Sequence, residues 1–286
     1  MGARWRAVER KGLEVVEIET AAATAVVALQ GAQVLSFVPR GGRDWLWVSE
    51  RARWSPGAAL RGGVPLCFPW FGPHPTERAF PAHGFARTSP WRFAGVEEVG
   101  DDARIDLTLA SDAATLALYP HRFEARLEIT VGAELGLAFE VSNPGDAPLA
   151  FELAFHGYLA VTDLGRISIE GLAGCAFADK VAGGARRTEG DGPVRIAGEV
   201  DRVYDSAGPV TLVDPAGARS LRIESAGAGS TVVWNPAPTK TATLSDMNPD
   251  AYQQFVCVET GAIGERRITV APGQQRRVKV VYRAAG

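Results

Sequence analysis

Phe123-Glu124-Ala125-Arg126-Leu127-Glu128-Ile129-Thr130-Val131 alternates apolar and polar residues almost without a break. That spacing places one set of side chains on each face of an extended strand. Leu137-Ala138-Phe139-Glu140-Val141 follows it closely, and Leu13-Glu14-Val15-Val16-Glu17-Ile18 and Arg104-Ile105-Asp106-Leu107-Thr108-Leu109 precede it with the same period. Such strands bury one face and wet the other, the habit of antiparallel sheets. Ser142-Asn143-Pro144-Gly145-Asp146, Asp214-Pro215-Ala216-Gly217 and Ala271-Pro272-Gly273-Gln274 supply the residues that tight reversals need. The last third continues the pattern in Leu221-Arg222-Ile223, Ser230-Thr231-Val232-Val233-Trp234, Phe255-Val256-Cys257-Val258-Glu259 and Arg277-Val278-Lys279-Val280-Val281-Tyr282. With 18 prolines and 32 glycines spread along the chain, long helices would be interrupted repeatedly. The pattern predicts an all-β sandwich or barrel, and with no linker in sight it predicts one domain over residues 1–286.

Composition narrows the function. The 286 residues are 46% hydrophobic, enough for a sizeable core. The formal net charge is −3, which removes the bulk positive field most nucleic-acid binders use. Cys67, Cys175 and Cys257 form no CxxC pair, so neither a disulfide framework nor a thiolate zinc site is expected. The charged N-terminal stretch and the lack of any run of about 20 apolar residues predict a cytoplasmic protein without membrane attachment. Arg6 stands where a myristoylation signal needs Ser or Thr.

The chain contains no GxxxxGK[ST] loop, no GxGxxG after a strand, no HExxH and no GxSxG. His74, His83, His121 and His156 are dispersed, and nothing local points to a metal. What stands out is polar residues in apolar settings. His156 lies in Leu153-Ala154-Phe155-His156-Gly157-Tyr158-Leu159, and Glu259 closes the apolar run from Phe255. Taken alone, His156 reads as a hydrogen-bonded core or surface histidine and Glu259 as a polar strand end. Together, a group with reference pKa of ~6.5 and one of ~4.3 can give and take protons on one substrate near neutrality. Arg61 and Arg87 sit in irregular, Gly-containing chain, where a planar guanidinium suits a phosphate; as ordinary surface arginines they would mean nothing. Asp201 could accept sugar hydroxyls or merely pair with Arg202. Trp45, Trp47, Trp54, Trp70 and Trp91 crowd the N-terminal third, as core aromatics or as walls for a sugar ring. The stretch Trp54 to Pro90 is irregular and rich in Gly, Pro and aromatics, as segments that build sites often are.

Several runs carry more information than their periodicity. Arg61-Gly62-Gly63-Val64-Pro65-Leu66-Cys67-Phe68-Pro69-Trp70-Phe71-Gly72, His83-Gly84-Phe85-Ala86-Arg87, Val200-Asp201-Arg202-Val203-Tyr204, Val232-Val233-Trp234-Asn235-Pro236 and Phe255-Val256-Cys257-Val258-Glu259 together resemble the glucose-6-phosphate 1-epimerases, the hexose-6-phosphate mutarotase branch of the aldose 1-epimerase family. The resemblance spans nearly the whole chain in order. It implies an antiparallel β-supersandwich of galactose mutarotase type. The implied protein is a cofactor-free, metal-free isomerase that interconverts the α and β anomers of a hexose 6-phosphate, glucose 6-phosphate foremost. By the same resemblance His156 and Glu259 are the catalytic pair, Arg61, Arg87 and Asp201 bind substrate, and His83 shapes the pocket. The expected partner is a small phosphosugar, with no nucleic acid or membrane, and the expected state is a monomer. Gly157 stands where the family often has Thr, and Ala82 where it often has a polar residue, departures that touch the pocket wall. The competing readings are an aldose 1-epimerase for free sugars and a non-catalytic carbohydrate-binding module.

Overall fold

In the computed structural model, residues 2–285 are described, and the strands expected from alternation are present. Arg4–Arg10, Leu13–Glu19, Ala23–Ala28 and Gln33–Pro39 form a four-stranded antiparallel meander. The back sheet has eight strands, in spatial order Ser168–Glu170, Val210–Asp214, Arg219–Ala226, Gln275–Ala284, Leu135–Ser142, Glu124–Val131, Asp102–Ala110 and Arg92–Val99. The Glu124–Val131 strand, where alternation is clearest, pairs with neighbours on both sides. Its Ala125, Leu127, Ile129 and Val131 are all buried.

The second eight-stranded sheet carries the site. Its path runs Ala185–Thr188, Ala176–Asp179, Val200–Tyr204, Ser230–Asn235, Phe255–Ala262, Leu153–Phe155 and Leu66–Cys67, with Tyr158–Ala160 also on Phe255–Ala262. One apolar cluster takes Val233, Val256 and Val258 from this sheet and Leu127, Leu137, Phe139 and Val280 from the back sheet. The β branches fill the space between the two layers. Phe68 anchors the corner, with the rings of Phe85, Phe123, Phe139 and Phe151 at centroid distances of 5.2–6.2 Å.

The Trp54 to Pro90 segment is irregular as expected, apart from the short Leu66–Cys67 strand and a 3-10 turn at Ala86–Thr88. It is laid onto the sheet by close backbone contacts. Gly84 has φ +71°, and a Cβ there would sit 1.9 Å from the Phe68 carbonyl oxygen. Only glycine permits both that conformation and that approach. Gly84→Ala should therefore lose about 1–3 kcal/mol from backbone conformation alone, the clash adding to it, and unfold at lower urea concentration than the parent. An unchanged urea midpoint would show that the segment is not pinned there.

Candidate active site

The site follows from strand register. Leu153 pairs with Ala262 and Phe155 with Thr260; after a two-residue interruption Tyr158 pairs with Cys257 and Ala160 with Phe255. The register is unbroken, so His156 faces Glu259 directly, and the Gly157 carbonyl still accepts from Val258 N–H at 3.2 Å. The His156 N–H turns instead to the Pro65 carbonyl, at 2.9 Å. The next strands extend the alignment: Glu259 pairs with Val232, which pairs with Val203, while Cys257 pairs with Trp234, which pairs with Asp201. Directly opposed residues share a sheet face. One face thus carries two adjacent rows, Val203–Val232–Glu259–His156 and Asp201–Trp234–Cys257–Tyr158.

Within these rows His156 Nε2 lies 3.4 Å from Glu259 Oε1. Glu259 is 1% exposed and His156 6%. Tyr158 stacks on the His156 ring at 4.8 Å with planes 13° apart, and Trp234 meets it edge-on at 5.9 Å. Burial drives the pair toward neutral forms. Desolvation, helped by the charge of Asp201, holds the Glu259 carboxyl well above the usual carboxylate range. Desolvation, with His83 and the guanidinium groups of Arg87 and Arg61, holds His156 well below its ordinary value. A carboxylic acid beside a neutral imidazole has the same proton count as a carboxylate beside an imidazolium, so one proton crossing the 3.4 Å gap interconverts them. Glu259 Oε2 and His156 Nδ1 are buried without a protein hydrogen-bond partner.

The irregular segment supplies the rim. His83 has φ +65°, and its ring lies 5.6 Å from that of His156. Its Nδ1 accepts from Gly72 N–H at 3.3 Å and lies 3.4 Å from Cys67 Sγ. The acceptor role of Nδ1 assigns the ring proton to Nε2. Burial, then the charges of Arg87, Lys180 and Arg61, push His83 down to about 3, so it is a neutral donor throughout the physiological range. Arg87 donates to the Ala82 carbonyl at 2.8 Å, and its Nε is buried without a partner. Arg61 is already engaged, its Nε 3.1 Å from Asp246 Oδ2 and its Nη1 3.1 Å from the Tyr158 hydroxyl. Asp201 faces the site from the far end of its row, and burial raises its carboxyl above the ordinary value. The pairing with Arg202 weighed as an alternative does not form: the neighbours point to opposite faces, and Arg202 bonds Glu189 at 2.8 Å.

His156, Glu259, Arg61, His83, Arg87 and Asp201 thus reach one side of one sheet or its rim. The tryptophans divide differently. Trp45, Trp47, Trp70 and Trp91 are buried in the core, and the aromatic groups at the site are Tyr158, Trp234 and Phe71. Lys180, just beyond the Ala176–Asp179 strand, was not anticipated. Its Nζ lies 4.3 Å from the Phe71 ring centroid, its charge bears on His83, Glu259 and Asp201, and it has no ion-pair partner among the described residues. No pattern marks it, because a lone lysine at a strand end is commonplace. The dispersed histidines also concealed a cluster: ligand atoms of His156, Cys257 and Glu259 lie within 4.8 Å of one another. A separate groove of about 700 Å³ is lined by Asp163, Asn235, Asp250, Tyr252 and Gln254. The Asn235 amide there is already satisfied by Tyr252, Phe255 and Ala237.

The sequence profile of the family described as Aldose 1-epimerase matches residues 14–283. A protein of Escherichia coli K12 named "Putative glucose-6-phosphate 1-epimerase" is 33% identical over 254 residues, which cover 88% of this chain and 84% of that protein. The crystal structure of a "putative mutarotase" from Salmonella typhimurium matches with a TM-score of 0.92 at 30% identity, over 98% of this chain and 93% of that one. A galactose mutarotase-like protein from Lactobacillus casei matches with a TM-score of 0.73 at 18% identity, over 95% of this chain and 100% of that one, a likeness of fold alone. The antiparallel fold of galactose mutarotase type is as the sequence led one to expect.

Neutral burial of His83 has a consequence for stability. Unfolded, a histidine takes up its proton near ~6.5; folded, His83 resists until about 3. Between those values the unfolded state binds the extra proton, so stability is lost as pH falls through this window. Urea midpoints measured from pH 7 to 4 should fall more steeply for the parent than for His83→Asn; parallel curves would mean that His83 is protonated in the folded protein.

Proposed function

The chain belongs to the aldose 1-epimerase family, and from that premise we propose that it interconverts the α and β anomers of a hexose 6-phosphate, glucose 6-phosphate foremost. The opposition of His156 and Glu259 carries the reading. Ring opening requires the C1 hydroxyl to lose a proton and the ring oxygen to gain one. With the pair in its carboxylate–imidazolium form, Glu259 takes the hydroxyl proton, the C1–O5 bond breaks as the aldehyde forms, and His156 delivers its proton to O5. Rotation about C1–C2 and reclosure with the roles exchanged gives the other anomer. Each acid–base group need contribute only about 10²–10⁴-fold. Hydroxyls of the sugar supply hydrogen bonds to the partnerless atoms of both side chains, offsetting the cost of charging them in a dry site. His83 donates its Nε2–H and Asp201 accepts from hydroxyls. No step calls on a metal or nucleotide.

The phosphate sets the preference. It carries about −1.5 to −2 charges near neutrality by analogy with phosphoryl side chains. Arg61, Arg87 and Lys180 are the cations that bear on the pair and its rim. Arg61 shares its charge with Asp246 and braces Tyr158 against His156, which leaves Arg87 and Lys180 to meet most of the phosphate charge. Anchoring that end spends binding energy on orienting C1. The protein is read as a cytoplasmic monomer acting through one domain.

Glu259→Gln should lower α/β exchange of glucose 6-phosphate at least ~100-fold while the sugar phosphate still binds, as followed by NMR exchange and by calorimetry. Near-parental exchange would remove Glu259 from the mechanism. Freshly dissolved galactose assayed beside it separates the free-aldose reading, and absence of exchange with either sugar would favour a binding module. Lys180→Met should raise the Michaelis constant for glucose 6-phosphate, narrow its advantage over glucose and leave kcat nearly unchanged. An intact advantage would place the phosphate elsewhere.

A further inference from the structure

We infer that His156, Cys257 and Glu259 form a binding site for a soft divalent cation, zinc in type, that competes with the sugar for the same side chains. Cys257 and Glu259 are two apart on one strand and His156 stands opposite on the next, so the register brings a thiol, a carboxylate and an imidazole to one spot. Their ligand atoms lie within 4.8 Å of one another and all three residues are buried. Metal–ligand distances of about 2.0–2.3 Å place tetrahedral zinc ligands roughly 3.4–3.7 Å apart, within reach of small side-chain rotations. The partnerless Glu259 Oε2 and His156 Nδ1 show that neither side chain is fully committed to protein hydrogen bonds. Three protein ligands leave a fourth position open for a water molecule from the sugar pocket.

Binding displaces two protons to solvent, the one on the Cys257 sulfur and the one the His156–Glu259 pair shares, and forms one bond each to S, N and O. The cation supplies the field that deprotonates the thiol. A thiolate and an imidazole favour zinc, cobalt or copper over magnesium and calcium. Competition with the sugar rests on the functional reading above; binding itself does not.

The test separates the two. Chelator-treated protein titrated with Co²⁺ should develop a thiolate-to-cobalt charge-transfer band that Zn²⁺ abolishes and Mg²⁺ leaves in place. The band should be missing from Cys257→Ser and Cys257→Ala, each checked for folding by its melting curve. In parallel, Zn²⁺ should inhibit anomer exchange of the parent, with reversal by chelator, and inhibit the Cys257 variants far less when each is scaled to its own metal-free rate. No band in the parent, a band that survives in either folded variant, or equal Zn²⁺ inhibition of parent and variants would overturn the site. Parent protein that develops the band with Co²⁺ yet shows no exchange when metal-free would sink the proposed reaction and leave the metal site standing.

Discussion

The pairing register between the Phe255–Ala262 strand and residues 153–160 is the constraint on which the site depends. It holds through the interruption at His156–Gly157, where the His156 amide leaves the ladder for Pro65. Side chains alternate faces along a strand, so a one-residue slip would send the Glu259 carboxylate toward the core and bring Val258 to the surface of the site. The valines that fill the core from Val256, Val258 and Val233 forbid that slip. Hydrophobic packing on one face of the sheet thus fixes which ionisable groups meet on the other.

On the core side the same layering leaves no room at Gly157, which faces away from the site and toward the back sheet. A Cβ on Gly157 would lie 2.8 Å from the Tyr282 hydroxyl of the back sheet and 3.3 Å from the Val258 carbonyl. A side chain larger than hydrogen has no room beside this tyrosine, so Gly157 and Tyr282 are matched as a pair. Burial that excludes bulk solvent also raises the cost of charge on Glu259 and His156, and holds both toward their neutral forms.

Much of this was legible in the sequence. Period-two alternation gave the strands, because each half-buried strand must alternate to satisfy both faces, and Pro-Gly punctuation marked the reversals. His156 and Glu259 stood out as ionisable groups in apolar runs, and Arg61, His83, Arg87 and Asp201 were carried by motif. Long-range pairing was not legible: nothing local to Cys257 says that it lies beside His156. Tyr158 reads as another core aromatic until the sheet places it against the imidazole and Arg61 against its hydroxyl. The tryptophans left two uses open for a related reason. Large aromatic residues fill cores as readily as they line sugar pockets, and only packing separates the two uses. Lys180 had no apolar context to make it conspicuous.

That lysine rests on the Phe71 ring and not on a carboxylate. The contact holds the ammonium in place without cancelling its charge, whereas Arg61 spends much of its own on Asp246. A chain of net charge −3 therefore keeps a local positive charge beside the His83 and Glu259 side chains. Mobile ions damp such fields over about 8 Å at physiological ionic strength, so the attraction works at short range. Added salt therefore weakens the lysine's pull on an approaching anion.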